Sequence, residues 1–181
     1  SSVNSIWGYA FVGCSSLTSF SFPEGVTWLC DYVLLMCNNL KTVTIPESVK
    51  TIGMGALAYC SNLAKINIPD SVELINQNAF KGCSSLASVT ISENVNYIYG
   101  GAFSGCTGLK SLEIGTNVTN IESNAFNGCS KMKTKTLPNQ GEIYSQAFQN
   151  CTTLTTATLG EDITSIGPSA FYGCEALQSI M

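Results

Sequence analysis

Hydrophobic and polar positions repeat along this chain with a period of 22 or 23 residues. The clearest unit starts at Ile75, and apolar residues follow it at offsets of 4, 5, 8 and 11 residues, the last being Leu86. This spacing is typical of a short helix or of 3₁₀ turns. From Leu86 to Ile91 apolar and polar residues alternate, which predicts a strand of about five residues. Each unit is therefore predicted to contain a helical turn and a strand.

A single unit of this kind cannot bury its own apolar face, but a stack of units can. The sequence therefore predicts a right-handed solenoid that forms one domain over residues 1–181, with a parallel β-sheet on one side and short helical or 3₁₀ turns on the other. We expect a piece of a longer array, because solenoids need polar caps and neither end supplies one. Uncapped ends would permit end-to-end self-association. About eight units are predicted, starting near Ile6, Leu29, Ile52, Ile75, Ile98, Ile121, Ile143 and Ile166.

The repeated unit also carries a recognisable motif. Residues 86–91 read Leu-Ala-Ser-Val-Thr-Ile, which matches the Leu-x-x-Leu-x-Leu core of a leucine-rich repeat. Ala79, Phe80 and Cys83 precede this core, and other units add proline and valine after it, as at Pro69 and Val72. The full unit resembles the BspA-like class of leucine-rich repeat proteins from about Ile6 to Ile180. The resemblance implies a cell-surface or secreted protein of bacteria or protists that adheres to host matrix proteins or to other cells.

The polar positions between the inward residues of the predicted strands form what we call the hydroxyl face. The resemblance implies that this sheet lines a concave surface, which is the usual binding site of leucine-rich repeats. Hydroxyl groups can hydrogen-bond a glycan or an extended peptide, although Trp, Tyr and Arg anchors are missing from this face. Threonine is also favoured for its β-propensity alone, and that alternative stays open. The hydroxyl face consists of Ser19, Ser21, Thr42, Thr44, Lys65, Asn67, Ser88, Thr90, Ser111, Glu113, Thr134, Thr136, Thr156 and Thr158.

A second candidate surface lies on the opposite arm of the units, where aromatic residues flank the inward residue that starts several of them. A row of half-exposed aromatic side chains could dock a sugar ring or a protein partner. Packing of each ring against the neighbouring coil explains the same pattern, and the sequence does not choose between the two. The members of this aromatic arm are Trp7, Tyr9, Trp28, Tyr32, Tyr97, Tyr99 and Tyr144.

Cysteine and phenylalanine each occupy a column of the stack. Neighbouring coils would place cysteines about 5 Å apart, within disulfide range, but parallel side chains point the same way, so we predict buried, inert thiols. Cys30 lies off the column and is expected to be the one reachable thiol. The phenylalanines, present in six units, are predicted to fill the interior of the turn. The cysteine column contains Cys14, Cys37, Cys60, Cys83, Cys106, Cys129, Cys151 and Cys174.

The sixth unit departs from the pattern. Lys135 stands in the column that Val89 and Leu112 occupy in other units. An unpaired ammonium group is too costly to bury, so we expect a bulge or shifted strand that brings Lys135 to solvent. Replacing Lys135 with valine is then expected to raise stability.

Composition narrows the function. The chain has no histidine and a net charge of −4, and all of its basic residues are lysine. Histidine dyads and histidine metal ligands are therefore excluded, and an acidic chain does not suit nucleic acid. Apolar runs are too short to insert into a membrane, and no catalytic, cofactor or metal motif occurs. Only 11% of the residues are charged, against about a quarter in an average domain.

The sequence thus predicts a non-catalytic binding or adhesion module, at the cell surface or secreted, that recognises a host protein, a glycan or another cell. No cofactor or nucleic-acid partner is expected. The alternative is a structural spacer, a stiff rod that presents other domains and has no ligand of its own. The two hypotheses differ in whether the isolated chain binds anything.

Overall fold

The protein is a stack of similar coils, and a computed structural model describes residues 3–133, 137–138 and 140–180. Every strand pairing in these residues is parallel, as expected when each coil follows the same path as the one before it. The strands are β1 (Ser19–Ser21), β2 (Trp28–Leu29), β3 (Thr42–Thr44), β4 (Thr51–Ile52), β5 (Leu74–Ile75), β6 (Ser88–Ile91), β7 (Tyr97–Ile98), β8 (Ser111–Ile114), β9 (Asn120–Ile121), β10 (Gln140–Ile143), β11 (Thr156–Ala157), β12 (Asp162–Ile166) and β13 (Ser179–Ile180).

The longest sheet has seven strands in the order β12-β10-β9-β7-β5-β4-β2. It takes one strand from each of seven successive coils, and its register aligns the inward residue of each coil, so that Ile52 pairs with Ile75 and Ile75 with Ile98. These isoleucines are fully buried. The predicted parallel β-solenoid is therefore confirmed, but its most continuous sheet lies on the aromatic arm.

The strands of the hydroxyl face form three separate pairs, β1-β3, β6-β8 and β11-β13. Proline explains why these ladders are short, since Pro46 and Pro69 have no N–H group to extend them. Where glycine stands in that column, the ladder continues, and Gly115 N–H donates to Ile91 O over 2.8 Å. The strand of about five residues predicted at 86–91 is four residues long, Ser88–Ile91.

The expected helical or 3₁₀ segment is instead a series of hydrogen-bonded turns, and no helix occurs in the described ranges. Backbone N–H groups alternate between two acceptors: Ala79 N–H donates to Asn76 O in its own coil, whereas Phe80 N–H donates to Ala102 O in the next. Residues with positive φ recur four apart, as at Asn78 (57°) and Gly82 (71°), and this left-handed geometry interrupts a helix. The spacing of apolar residues alone could not reveal that the hydrogen-bond acceptors alternate between one coil and the next.

The core consists of the predicted columns. Phenylalanine rings stack along the solenoid at Phe80, Phe103, Phe126, Phe148 and Phe171, with ring centroids 5.1 to 5.5 Å apart and ring planes within 9° of parallel. The first four of these side chains are completely buried. The prediction that this column fills the interior of the turn is thus confirmed.

Candidate functional site

The hydroxyl face is exposed to solvent, as the alternation of inward and outward residues along its strands predicts. In β6 and β8 the inward residues Val89 and Leu112 are buried, whereas Ser88, Thr90 and Glu113 lie on the surface. The Thr90 hydroxyl donates to Glu113 across the pair over 3.3 Å. Most members of the face in the other coils are exposed in the same way, and Thr156 and Thr158 are half-buried. Thr134 and Thr136, together with the anomalous Lys135, lie outside the described residues.

Two shallow cavities open on this face beside Thr90, one between the coils of β6 and β8 and the other over residues 65–68, which lie between β3 and β6 without pairing to either strand. Their volumes are about 340 and about 270 Å³, and both are lined by Asp70, Thr90 and Ser92. The Ser92 Oγ is buried and has no hydrogen-bond partner among the described residues. Nearby, hydrogen bonds from Thr116 lower the pKa of the Glu93 carboxyl. Most of the lining side chains are polar, and the cavity over residues 65–68 is the more polar of the two, which suits water or a polar ligand.

The aromatic arm shows the more unusual exposure. Trp7 is 77% exposed, Tyr9 63%, Trp28 45%, Tyr97 41% and Tyr144 38%, while Tyr32 and Tyr99 are half-buried. Trp28 and Tyr97 stand on the seven-stranded sheet immediately before buried inward residues, so their side chains point away from the core. Large apolar surface of this kind on a repeat that buries its interior is typical of an interaction site.

At one end of the arm, aromatic side chains pack on the turns of the next coil. Tyr9 and Tyr32 stack with ring centroids 5.0 Å apart, and the Tyr32 hydroxyl donates to the Met54 sulfur over 2.8 Å. The Tyr32 ring lies over Gly55, where a β-carbon would come within 2.5 Å of it. Packing therefore accounts for Tyr32 but leaves Tyr9 largely exposed.

The two tryptophans border a cavity of about 230 Å³ between the first and second coils. Trp7, Trp28 and Cys30 line it together with polar side chains from Asn4 and Thr27. The cavity therefore offers flat aromatic surface and hydrogen-bonding groups to the same occupant.

In the middle of the arm, three adjacent strands bring tyrosine and glutamate together. Tyr97 in β7 pairs with Asn120 in β9, which pairs with Glu142 in β10. Interaction of the Tyr144 hydroxyl with the Glu142 carboxylate, together with the negative charge nearby, raises the pKa of Tyr144. Glu122 accepts a hydrogen bond of 3.0 Å from Gly100 N–H. Glu122 is thus held in place, and both glutamates are half-buried.

Sequence reasoning missed three exposed residues on the turns after the arm: Met36 (48% exposed), Tyr59 (41%) and Tyr172 (67%). Tyr59 lies over Gly82, where a β-carbon would come within 2.6 Å of its ring. The sequence did contain a signal for Tyr59, because this residue aligns with glycines in other units. A large side chain in a glycine column of the stack must lie on the surface.

The cysteines are free thiols, and Cys37, Cys60, Cys83, Cys106, Cys129 and Cys151 are buried. Each of these six donates its S–H to the backbone carbonyl of the phenylalanine column in the preceding coil, for example Cys106 to Phe80 O over 3.2 Å. Burial raises the pKa of Cys60 and of Cys129 to about 12. The predicted buried column is confirmed for these six residues.

The expectation that Cys30 is the one reachable thiol is wrong, because Cys14 is exposed whereas Cys30 is only half-buried. Cys14 lies in the first coil, which has a neighbouring coil on one side only in this chain. Partial burial and then the charge of Asp31 raise the pKa of Cys30, so little of it is thiolate near neutral pH. Accessibility therefore favours Cys14.

We expect thiol labelling at pH 8 to separate these classes. Cys14 should react fastest with a soluble disulfide reagent, whereas the six buried thiols should react about a thousandfold more slowly, as an opening free energy of about 4 kcal/mol requires. Peptide mapping of the labelled protein identifies the sites, and labelling in denaturant provides the control. Rapid labelling of Cys83 or Cys106 without denaturant would contradict the burial of the column.

Among the described residues, no group of three or more histidine, cysteine, aspartate or glutamate side chains is placed to share a metal ion. A search of the same ranges found no helix with the length and hydropathy needed to cross a membrane.

The stacked coils, the Leu-x-x-Val-x-Ile strands and the cysteine and phenylalanine columns define a leucine-rich repeat solenoid. A profile of the BspA-type leucine-rich repeat region matches residues 1–110 and 74–181, with six copies of the repeat. The chain therefore belongs to the BspA-type leucine-rich repeat family. No curated protein matches the chain significantly.

Solved structures agree with this assignment. A leucine-rich repeat protein from Bacteroides ovatus is 29% identical and superposes with a TM-score of 0.82, over 97% of this chain and 52% of that one. A leucine-rich cell surface protein from Faecalibacterium prausnitzii is 28% identical, with a TM-score of 0.62 over 99% of this chain and 63% of that one. The Treponema pallidum leucine-rich repeat protein gives 28% identity and a TM-score of 0.75 over 96% and 71%. This chain thus spans about half the length of the first structure and under two thirds of the second.

Proposed function

We propose that this chain is a non-catalytic binding module of a cell-surface or secreted bacterial protein, and that it adheres to a protein or glycan partner through its aromatic arm. The observation that carries the proposal is the distribution of exposed aromatic side chains. All of them lie on the aromatic arm and the turns after it, and none lies on the described part of the hydroxyl face: Trp7, Tyr9, Trp28, Tyr59, Tyr97, Tyr144 and Tyr172.

Exposed tryptophan and tyrosine suit this role because they supply large contact area at low entropic cost and dominate the energetics of many interfaces. The hydroxyl face offers hydrogen-bonding groups but no such anchors. The family supports a binding role, and the similar structure from Faecalibacterium prausnitzii is described as a cell surface protein.

A spacer function is the second candidate, and the regular core favours it. The parallel phenylalanine rings run from Phe80 to Phe171, and hydrogen bonds join successive described coils, which makes a stiff rod. The two functions predict different results in a binding screen, because a spacer has no ligand of its own.

An array of host matrix proteins and glycans, probed with the purified chain, tests the proposal. We expect at least one partner to be retained. Replacing Trp28 and Tyr97 with serine is expected to weaken that binding about tenfold or more, as for the loss of interface anchors. The matched control replaces Thr44 and Thr90 with arginine on the hydroxyl face and should leave binding within about twofold, because rim contacts contribute little.

Circular dichroism of each variant establishes that the fold is retained. No retained partner on the array would support the spacer instead. Loss of binding in the Thr44 and Thr90 variant alone would move the site to the hydroxyl face.

A further inference from the structure

The centre of the aromatic arm carries a chemically distinct patch on three adjacent strands. It consists of Tyr97 and Tyr99 in one coil, Glu122 in the next, and Glu142 and Tyr144 in the third. The residues stand on either side of Ile98, Ile121 and Ile143, which are completely buried. Their side chains therefore share the outer surface of the seven-stranded sheet, and the patch spans about 10 Å across the strands.

The tyrosines provide open ring surface. Tyr97 and Tyr144 are 41% and 38% exposed, and the rings of Tyr97 and Tyr99 are tilted by 40° with centroids 6.0 Å apart. A cation over the face of a tyrosine ring is attracted by the ring quadrupole, and two neighbouring rings offer two such faces close together. The rings alone would accept any apolar or cationic group.

The carboxylates of Glu122 and Glu142 favour a cationic group over an apolar one as the ligand of this patch. Glu122 is fixed by the Gly100 N–H, and Glu142 stands on the adjacent strand β10, two residues before Tyr144. Both glutamates are half-buried, so each carboxylate keeps lone pairs that a partner can reach. Neither forms an ion pair within the described residues, where the ion pair that occurs joins Lys50 and Glu73. Flanking positions carry no lysine that could neutralise them: Asn96, Thr119, Gly141, Gly100, Ser123 and Ser145.

The geometry points to this patch as a docking site for an arginine- or lysine-bearing segment of a protein partner. A guanidinium group can stack on a tyrosine ring while it donates two hydrogen bonds to a carboxylate, and this patch presents both groups side by side. Negative charge of the patch and of the whole chain, −4, would also steer a basic segment toward it. The inference rests on the proposed binding function and adds the chemistry of the partner.

Fluorescence anisotropy with labelled peptides tests this inference. The probes are a short peptide that alternates arginine with glycine and serine, its lysine counterpart, and a counterpart with glutamine in place of arginine. We expect the two cationic peptides to bind and the glutamine peptide to bind about tenfold more weakly or not at all. Binding of the cationic peptides should weaken as salt is raised from about 50 to about 300 mM, because the patch is exposed.

The Glu122→Gln, Glu142→Gln double variant removes the charge but keeps acceptors for the Gly100 N–H and the Tyr144 hydroxyl, so the fold should be unchanged. Arginine-peptide affinity is expected to fall about tenfold. The matched control is Glu113→Gln, an exposed carboxylate on the hydroxyl face, which should leave the affinity unchanged after correction for net charge.

Equal affinity for the arginine and glutamine peptides, or equal loss in the control and the double variant, would overturn the inference. Its failure is separable from that of the proposed function. If the double variant still retains a partner on the array and no cationic peptide binds, only the claim that the partner carries a cationic segment is rejected. If the cationic peptides bind but the array retains no partner, the inference about the patch stands and the proposed adhesion function is rejected.

Discussion

Raising the pH from 8 to about 11 is expected to unfold this protein in one cooperative transition, because the buried cysteine column must stay protonated. An ordinary thiol has a pKa near 9, whereas burial raises the pKa of Cys60 and Cys129 to about 12 and those of Cys83 and Cys106 well above the ordinary value. The folded state therefore holds these protons after the unfolded state has released them. Stability is complete below about pH 9 and is lost as the pH rises toward about 12.

The size of the effect follows from the number of thiols. Each group that ionises only in the unfolded chain costs about 1.4 kcal/mol per pH unit above its unfolded pKa. Four such thiols cost about 5.5 kcal/mol per pH unit, against a total stability of about 5–15 kcal/mol for a folded domain. Cys37 and Cys151, whose pKa values are also raised, add to this cost. Few other features of the chain respond so steeply to pH.

Urea unfolding at a series of pH values, with reductant present, measures this dependence. The slope of the unfolding free energy against pH should correspond to at least four protons above pH 9. The Cys83→Ser, Cys106→Ser variant keeps donors for Leu57 O and Phe80 O but removes two titrating thiols, so its slope should fall by about two protons. A slope below one proton in the unmodified protein would refute the role given to the column.

Replacing Phe126 with alanine is expected to destabilise the protein by about 3–5 kcal/mol. Its ring is completely buried and stacks on Phe103 and Phe148 with centroids 5.3 Å away on both sides. Removal leaves a cavity that two rigid neighbouring coils cannot close. The loss also ends two aromatic contacts, each about 0.5–1.5 kcal/mol beyond area burial.

A matched substitution separates the cavity from the loss of stacking. Leucine occupies this column at Leu34 and Leu57, where it is also completely buried, so Phe126→Leu should cost about 1–2 kcal/mol. Tyr172→Ala, at an exposed position two coils along, should change stability by about 0.5 kcal/mol or less. Chemical denaturation of the three variants provides the comparison, and equal losses for alanine and leucine would show that the ring is not packed as described.

The inward columns could be predicted from the sequence because burial repeats with the chain. Inward isoleucines, phenylalanines and cysteines occur at fixed offsets, and a residue that faces the same neighbours in each coil must have the same chemistry. The left-handed backbone at Gly82 and its equivalents was predictable for a similar reason, since glycine adopts positive φ without steric cost.

Other features depended on interactions that no periodic pattern encodes. The continuous sheet on the aromatic arm arises from two-residue strands such as β7, too short for an alternation signal. Left-handed Asn78 and Tyr59 are not marked by glycine. Within the candidate site, the exposure of the tyrosines followed from their positions, whereas the hydrogen bond from Gly100 N–H to Glu122 depends on a side-chain conformation that no sequence pattern specifies.

The nearly parallel phenylalanine rings have a consequence for the size of the array. Ring planes within 9° of parallel mean that successive coils are related by a displacement along the rod with almost no rotation in this column. Duplicating or deleting one whole coil would then recreate the same contacts at the new junction. Gene-level gain or loss of repeats can thus change the reach of the protein in steps of about 5 Å without redesign of its interior.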